Sequence, residues 1–282
     1  MDYKELVEGI KHYGSTSEDI VKSGFKVDAE QIKENVIISP TWTPMDLSFN
    51  ANVECFNKNV GSVERLNGSI GSAARVYNIA FDNHEATYIT TGVGAPIMAD
   101  IVLQLGLTKC KRILLIGSVG AIDDKLNIGD ILIPDYAISG DGVCRYLTGD
   151  FHDVFGQKEY PDGKLLGDIY NISKKICGEE DIKFHRANLF TVTSLFAQFV
   201  YIEQLKKYGS RALDMEAAAA FCAANVAGIP IAGIFQIFNN VVENKSMYSR
   251  ITREEIDYRD QVRKLIFPKI ILATLRKFNE IN

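Results

Sequence analysis

A long uncharged segment is the feature that most restricts how this chain can fold. It covers 26 residues from Ala217 to Val242, directly after Glu216, and reads AAAAFCAANVAGIPIAGIFQIFNNVV. Its length alone would suffice to cross a bilayer. Gly228 and Pro230, however, divide it into a helical half and a strand-like half, and two asparagines end the second half. We therefore predict a buried helix, a turn and a buried strand, with no membrane as a partner.

Glu216 is at the start of this segment, where its carboxylate is expected to be at least partly removed from water. Taking an ionised carboxylate out of water is costly unless hydrogen-bond donors surround it. Either the fold supplies those donors, or a ligand with hydroxyl groups does. Glu216 is therefore the first candidate for a functional residue.

The composition is that of an ordinary globular protein and argues against several functions. Of 282 residues, 46% are hydrophobic and 24% are charged, with a net charge of −5. We find no basic stripe that would bind the phosphates of a duplex, so nucleic acid is not an expected partner. The five cysteines are scattered and form no CxxC pair, which predicts neither a disulfide framework nor a zinc site. With no signal-peptide pattern at the N-terminus, a cytoplasmic location is expected.

Apolar strand candidates alternate with segments of helical spacing. The strands are predicted at 36–39, 87–91, 113–116, 131–133 and 231–238, with a further extended segment at 182–192, and the helices at 96–105, 165–177, 214–227 and from 252 onwards, with a kink or break at Pro268. This alternation predicts an α/β fold with a central sheet covered on both faces. We expect one domain over residues 1–282, in which residues 1–30 form a helical N-terminal extension outside the main core.

Two glycine-rich turns follow predicted strands, which is where ligands bind in open α/β sheets. The first, TGVGAP at 91–96, leads into a helix whose N–H groups near Gly94 are suited to an anion. In the second, GSVGA at 117–121, Gly117 lets the backbone approach a ligand and Ser118 offers a hydroxyl group. Neither turn matches a dinucleotide fingerprint or a Walker A loop, and a plain turn without a ligand is about equally compatible with each.

Three segments together resemble the nucleoside phosphorylase-I superfamily, which contains purine nucleoside phosphorylases, uridine phosphorylases and related nucleosidases. They are TGVGAP at 91–96, GSVGAIDDKLNIGDILIP at 117–134, and DMEAAA at 214–219 with the strand that ends at Asn239. Each is loose alone, but their order and spacing match the family over most of residues 36–278. The resemblance implies a three-layer α/β/α sandwich around a mixed, partly barrel-like sheet, and cleavage of an N-ribosidic bond.

The resemblance also implies roles for individual residues. Met215 and Glu216 would hold the ribose, with the carboxylate on its 2′- and 3′-hydroxyl groups, which agrees with the need of Glu216 for donors. Ser118 would contact phosphate or ribose, and Phe196 would stack near the base or the sugar. No metal or organic cofactor is implied, and the small-molecule partner would be a nucleoside. Homo-oligomers, as dimers, trimers or hexamers, are typical of the family.

The residues expected at the base differ from the family's pattern. Purine-specific members carry an aspartate where this chain has Asn239, with Asn240 beside it. An asparagine is able to hydrogen-bond a base but cannot act as a general acid, which typically contributes ~10²–10⁴-fold to a rate. We therefore expect Asn239 to take part in catalysis, and Asn240 in binding, without protonating the base.

The residues expected at the phosphate differ as well. Phosphorylases of the family usually have a Pro-Gly-Asp-Pro turn and an arginine after the first strand, where residues 39–44 read SPTWTP. A second arginine is usual where this chain has Leu115, and Arg65 or Arg75 are candidates for an arginine lent by a neighbouring subunit. A phosphate dianion needs cationic or multiple N–H partners.

Three hypotheses about the function remain open. The first is an enzyme that cleaves nucleosides, with phosphorolysis, in which inorganic phosphate is the co-substrate, and hydrolysis about equally expected. The second is a weak or inactive member that binds nucleosides or bases without turning them over. The third is an unrelated α/β domain in which the fold itself satisfies Glu216.

Overall fold

One mixed β-sheet forms the centre of the molecule. The computed structural model describes residues 2–49, 60–67, 74–149, 151 and 155–280. Its strands are β1 Asn35–Ser39, β2 Val60–Arg65, β3 Arg75–Phe81, β4 His84–Thr90, β5 Arg112–Ala121, β6 Ile131–Ile133, β7 Ala137–Ser139, β8 Lys158–Glu159, β9 Phe184–Arg186, β10 Leu189–Thr191, β11 Ala212–Asp214 and β12 Ile231–Asn240.

Helices cover this sheet. They are α1 Tyr3–Lys11, α2 Ser17–Phe25, α3 Ala95–Leu105, α4 Cys144–Thr148, α5 Gly163–Glu179, α6 Ile202–Lys206, α7 Ala217–Ala227, α8 Arg253–Gln261 and α9 Phe267–Asn279. Apolar side chains of α2, α3 and α7 pack on one side in one core cluster, and those of α5 and α9 pack on the other side in a second. The predicted α/β fold, with a central sheet covered on both faces, is confirmed.

The sheet divides at β5, one of its two longest strands. Its main path runs β2-β3-β4-β1-β5-β11-β10-β7-β8, while β12 pairs with β5 and leads to β6 and β9. One edge of β5 pairs first with β1 in parallel and then, at Gly120 and Ala121, with β11 in antiparallel direction. The other edge pairs with β12 along nine positions. The sheet is thus mixed and branched, and it does not close into a barrel.

The uncharged segment folds as its composition predicts. α7 is buried over Ala217–Ala224, as expected for a helix that is apolar all round. Gly228 ends it in the left-handed conformation, with φ of +69°, which glycine adopts without strain. β12 then crosses the centre of the sheet with nine of its ten residues buried. No helix in the described part of the chain is both long and apolar enough to span a membrane.

Three predictions at the level of elements need correction. The strands β2, β3, β7, β8 and β11 are absent from the prediction, and Asp214 closes β11 instead of opening a helix, which begins at Ala217. The N-terminal residues are helical as expected, but α2 does not lie outside the main core. Val21 and Phe25 are fully buried in it, because the apolar face of α2 packs beside α3.

Candidate active site

A cleft of about 420 Å³ brings together segments that are distant in the sequence. Its walls come from the loop after β1, the turn after β4, the C-terminal part of β5, the end of β11 and the end of β12. Its volume lies within the usual range of small-molecule sites. Four residues predicted from the sequence line it, namely Ser118, Met215, Glu216 and Asn239. Val93, the neighbour of the predicted Gly94, lines it as well.

Glu216 is 7% exposed and forms part of the cleft wall at the N-terminus of α7. Its Oε1 accepts a hydrogen bond from the backbone N–H of Gly94 at 2.7 Å. Burial and the neighbouring carboxylate of Asp214 raise the pKa of Glu216 to about 8, against the opposing effect of the Gly94 hydrogen bond. The backbone N–H groups of Gly94 and Met215 thus lower the pKa of Glu216 without offsetting its burial, and further donors would stabilise the ionised carboxylate.

Asp214 holds the start of α7 in place. One of its carboxylate oxygens accepts hydrogen bonds from the N–H groups of Glu216, at 2.9 Å, and of Ala217. The other accepts from the hydroxyl of Thr191 at 2.7 Å, and that hydroxyl in turn accepts from the N–H of Ala218 at 2.9 Å. Burial raises the pKa of Asp214. Sequence reasoning gave Asp214 and Thr191 no role in the site, although both are needed to position Glu216.

Gly94 has a backbone conformation that favours glycine, with φ of +122° and ψ of 141°. A Cβ at this position would meet only Pro96, at 4.0 Å, so the backbone angle restricts the residue more than the available space does. We expected the N–H groups near Gly94 to be suited to an anion. In the structure the N–H of Gly94 donates to the carboxyl group of Glu216, and a contact of Gly94 with a ligand stays a prediction.

Ser118 and Asn239 lie on adjacent strands and both line the cleft. The Ser118 hydroxyl has no hydrogen-bond partner among the described residues. Asn239 is 7% exposed, and its Oδ1 would lie 2.8 Å from a Cβ at position 120, so Gly120 makes room for the Asn239 side chain. Gly117 is buried between Phe235 and Pro40 and does not line the cleft.

Two of the predicted binding residues lie elsewhere in the structure. Asn240 is fully buried, and its amide nitrogen donates to the carbonyl oxygens of Asp123 and Leu126 at 2.9 and 2.8 Å, while its Oδ1 accepts from the N–H of Val242. These contacts use its amide to hold the loop after β5. Phe196 is 83% exposed and does not line the cleft, since it projects from the surface where a 3₁₀ turn begins.

The cationic residue of the cleft was not predicted from the sequence. Leu115 is fully buried in β5, and Arg65 and Arg75 are exposed on strands of the sheet edge and do not line the cleft. Arg263, between α8 and α9, lines it instead. No local sequence signal marks this residue, because only the tertiary packing of the C-terminal helices brings it to the cleft.

A second cavity, of about 690 Å³, is larger but has different chemistry. Its lining includes the aromatic side chains of Phe155, Phe190, Tyr201 and Tyr208, together with Gly140 and Gln198. The residues that line it include Lys207 but no carboxylate. It lacks the acidic residues that a sugar site requires, so the smaller cleft is the better candidate for catalysis.

Cys144, Glu159 and Cys222 form a group of side chains with the donor types of a metal site, outside the cleft. Their ligand atoms all lie within 4.8 Å of one another. A hydrogen bond with Cys144, together with burial, raises the pKa of Cys222, and burial and the charge of Asp141 raise the pKa of Glu159 to about 7. Two thiols and a carboxylate suit Zn²⁺, but they supply three of the four ligands of a tetrahedral structural site.

Comparison with known sequences relates most of the chain to one family. The model of the phosphorylase superfamily matches residues 44–269. A DeoD-type purine nucleoside phosphorylase from Buchnera aphidicola subsp. Baizongia pistaciae is 26% identical over 201 residues, which cover 70% of this chain and 78% of that protein. A guanosine phosphorylase from Halorubrum lacusprofundi is 22% identical over 170 residues, which cover 60% of this chain and 66% of that protein.

Solved structures of two such enzymes have a similar fold. Uridine phosphorylase from Vibrio fischeri, in complex with 6-hydroxy-1-naphthoic acid, superposes with a TM-score of 0.70 at 22% identity, covering 89% of this chain and 94% of that one. Purine nucleoside phosphorylase from Toxoplasma gondii, in complex with immucillin-H, gives a TM-score of 0.69 at 17% identity and covers 91% and 95%. These likenesses confirm the three-dimensional fold that the sequence motifs imply.

Proposed function

Because the chain belongs to the phosphorylase superfamily, we propose that it is an enzyme that cleaves the N-glycosidic bond of a nucleoside by phosphorolysis. The observation that carries this proposal is the environment of Glu216. It is a nearly buried carboxylate on the wall of a cleft, with a pKa raised to about 8 although it accepts a hydrogen bond from the N–H of Gly94. A pair of neighbouring sugar hydroxyls would give it the further donors that stabilise its ionised form.

The proposed reaction assigns a task to each side of the cleft. Glu216 accepts hydrogen bonds from the 2′- and 3′-hydroxyl groups, and Met215 packs against the ribose. A phosphate oxygen attacks C1′ while the bond from C1′ to the base nitrogen breaks, and its electrons leave with the base. The products are ribose 1-phosphate and the free base, which takes its proton from solvent because Asn239 has none to give. Ser118 offers a hydroxyl to phosphate or sugar, and Asn239 hydrogen-bonds the base.

Hydrolysis is the second candidate, and one observation favours it. Neither position 115 nor the loop at 39–44 provides an arginine, so two usual partners of a phosphate group are absent from the cleft. With water as the acceptor, the products would be free ribose and the base. A member that binds nucleosides without turnover is the third reading, since Asn239 cannot act as a general acid.

A panel of purine and pyrimidine nucleosides, incubated with and without phosphate, distinguishes these functions. Phosphorolysis predicts ribose 1-phosphate, formed only when phosphate is present. Free ribose formed at the same rate without phosphate contradicts phosphorolysis and supports hydrolysis. If no nucleoside is cleaved, calorimetry with the same panel tests for binding, and binding that is lost in Glu216→Ala supports the third reading.

The remaining properties are proposals of the same kind. We propose that residues 1–282 form a single domain, that the protein works in the cytoplasm as a homo-oligomer, and that phosphate is its co-substrate with no organic cofactor. The four cysteines of the described residues are free thiols, which is compatible with a reducing compartment. Asn240, through its side-chain amide, and Gly117, through its close packing, would support the site from outside the cleft, and Phe196 would contact substrate only if the loop around it changes position.

A further inference from the structure

The guanidinium of Arg263 is the one cation among the described residues that line the cleft. The other two ionisable side chains of the lining are the carboxyl groups of Asp214 and Glu216. Both carboxylates accept hydrogen bonds from the protein itself. An anionic ligand needs cationic partners or several N–H groups, and carboxylates repel it. An anion in this cleft would therefore be held on the side where Arg263 lies.

Arg263 has hydrogen-bond donors that the protein does not use. Its Nη2 donates to Oδ1 of Asp260 at 3.0 Å, whereas its Nε is buried and has no partner among the described residues. The side chain is 18% exposed, so bulk water reaches little of it. A guanidinium has five N–H donors in a planar arrangement, which matches the oxygens of a phosphate group. The pair with Asp260 leaves most of these donors available.

Arg259, one helical turn earlier, has a different task. Its Nη1 donates to the carbonyl oxygen of Phe238 at 3.2 Å, and its guanidinium lies over the Phe238 ring at 4.0 Å from the ring centre. Phe238 lines the cleft, whereas Arg259 does not. Arg259 thus supports the cleft wall from behind, which leaves Arg263 as the arginine of this segment that is able to meet a ligand.

The C-terminal helix changes its winding at Arg263. The N–H of Phe267 bonds to the carbonyl oxygen of Val262, five residues earlier, so that Val262–Ile266 forms a π-turn. Pro268, which has no N–H to donate to the preceding turn, lies in the first turn of α9, where a helix tolerates proline. Single π-turns within helices often occur at functional sites. Here the turn separates α8 from α9 and carries Arg263 to the cleft.

Aromatic packing fixes the π-turn against the loop after β1. The ring of Trp42 meets that of Phe267 edge-on, with 5.1 Å between ring centres. The carbonyl oxygen of Trp42 accepts hydrogen bonds from the hydroxyl groups of Tyr88 and Thr90, which fixes the loop in turn. The loop residues Pro40–Trp42 also line the cleft. Arg263 is therefore held, by contacts on both sides, next to the loop that lacks an arginine of its own.

We propose that Arg263 binds the phosphate co-substrate and takes the place of the arginines that are missing from the loop at 39–44 and from position 115. The inference rests on the proposed phosphorolysis. Arg263 neutralises the charge of the phosphate group and orients the oxygen that attacks C1′. The hydroxyl of Ser118, which has no partner of its own among the described residues, is the second donor to the same group.

Arg263→Gln tests this assignment, with Arg253→Gln as the matched control. Arg253 lies in the preceding helix, and its side chain is 82% exposed beside Asp257. In Arg263→Gln the KM for phosphate is expected to rise by about 10- to 100-fold, as for the loss of hydrogen bonds to a charged group. The Kd for the nucleoside alone, measured by calorimetry, is expected to stay within about twofold. Arg253→Gln is expected to leave both constants unchanged.

Binding of phosphate is also measured without turnover. Phosphate alone is expected to raise the Tm of the wild-type protein and of Arg253→Gln, but not that of Arg263→Gln. If Arg263→Gln does not fold, Arg263→Lys enters the same two assays, since it keeps the charge and loses the planar arrangement of donors. Asp260→Asn, which removes the competing carboxylate, is expected to leave the KM for phosphate equal to or lower than that of the wild type.

Different results would overturn the assignment of Arg263 and the proposed phosphorolysis. An unchanged KM for phosphate in Arg263→Gln, in a protein that forms ribose 1-phosphate, overturns the assignment of Arg263 and leaves the proposed function intact. Free ribose formed by the wild-type protein at a rate independent of phosphate overturns the proposed function before any variant is made.

Discussion

At the residue scale, Glu216 combines two properties that oppose each other. Its position favours the neutral acid, because burial and Asp214 raise its pKa to about 8. Its proposed task requires the carboxylate, because sugar hydroxyls donate to the ionised form. Substrate binding and ionisation of Glu216 should therefore be linked, which makes the pH dependence of nucleoside affinity the direct test of its role.

We predict that nucleoside affinity increases with pH between 6 and 8. A ligand that donates to the carboxylate binds the ionised form of Glu216, which is a minor fraction below pH 8. The Kd for the nucleoside should therefore fall by up to about tenfold per pH unit and level off above about pH 8. Calorimetry at several pH values measures this change. Glu216→Gln is the control, in which affinity should be weak and nearly independent of pH. An affinity of the wild-type protein that is flat over this range would contradict the role assigned to Glu216.

The same pKa predicts how Glu216 affects stability in the absence of ligand. Its folded-state pKa of about 8 exceeds the ordinary value of 4.5, so its favourable contribution is complete below pH 4.5 and is lost as pH rises through 8. Glu216→Gln should therefore be more stable than the wild type at pH 9, by about 2 to 5 kcal/mol, and similar to it near pH 5. Urea unfolding of both proteins at the two pH values measures the difference, and an equal difference at both would contradict the raised pKa.

At the scale of elements, α7 and β10 are joined by the hydroxyl of Thr191. We predict that Thr191→Val lowers the free energy of unfolding by about 2 kcal/mol, because Asp214 and the N–H of Ala218 both lose a buried partner. It should also weaken nucleoside binding, since Asp214 holds the backbone N–H of Glu216. Thr274→Val is the matched control, because Thr274 is equally buried and its hydroxyl has no partner among the described residues. Equal destabilisation by both changes would argue against the network.

A separate prediction concerns Gly94, in the turn before α3. Gly94→Ala should lower the free energy of unfolding by about 1 to 3 kcal/mol, because a φ of +122° is strained for any residue with a Cβ. It should also displace the N–H that Glu216 accepts from and raise the Kd for nucleoside. Gly167→Ala, at an open position within α5, should instead stabilise the protein by about 0.5 to 1 kcal/mol. Thermal unfolding of both variants checks the opposite signs.

The elements that could be predicted from the sequence are those with a strong local signal. β1, β6, α7 and β12 have apolar runs bounded by proline, glycine or asparagine, and they occur where the sequence indicates. β3 mixes exposed and buried residues, and β11 has only three residues, so neither gives a clear pattern. The burial of Glu216 could be predicted because the uncharged run follows it directly. Arg263 could not, since its position depends on the π-turn and on Trp42, which is distant in the sequence.

At the scale of the whole molecule, apolar side chains remain exposed close to the cleft. Phe196, Val200 and Tyr201 are 83%, 80% and 51% exposed on one 3₁₀ turn and its N-cap. The ring of Phe199 in the same turn contacts that of Tyr248, which is itself 64% exposed. Contiguous exposed apolar patches are a feature of protein–protein interaction sites. They support the proposal that the protein is a homo-oligomer.

We therefore predict that the protein has a mass of at least twice 31.4 kDa in light scattering after gel filtration, and that Val200→Asp reduces it to the mass of one chain. Met247, the neighbour of Tyr248, lines the cleft, so separating the chains should expose the site to water and lower the rate of nucleoside cleavage as well. Tyr13→Asp is the control, because Tyr13 is 87% exposed after α1 and outside this cluster. A wild-type protein of single-chain mass at every concentration would contradict the prediction, and full activity in a monomeric Val200→Asp variant would show that each chain holds a complete site.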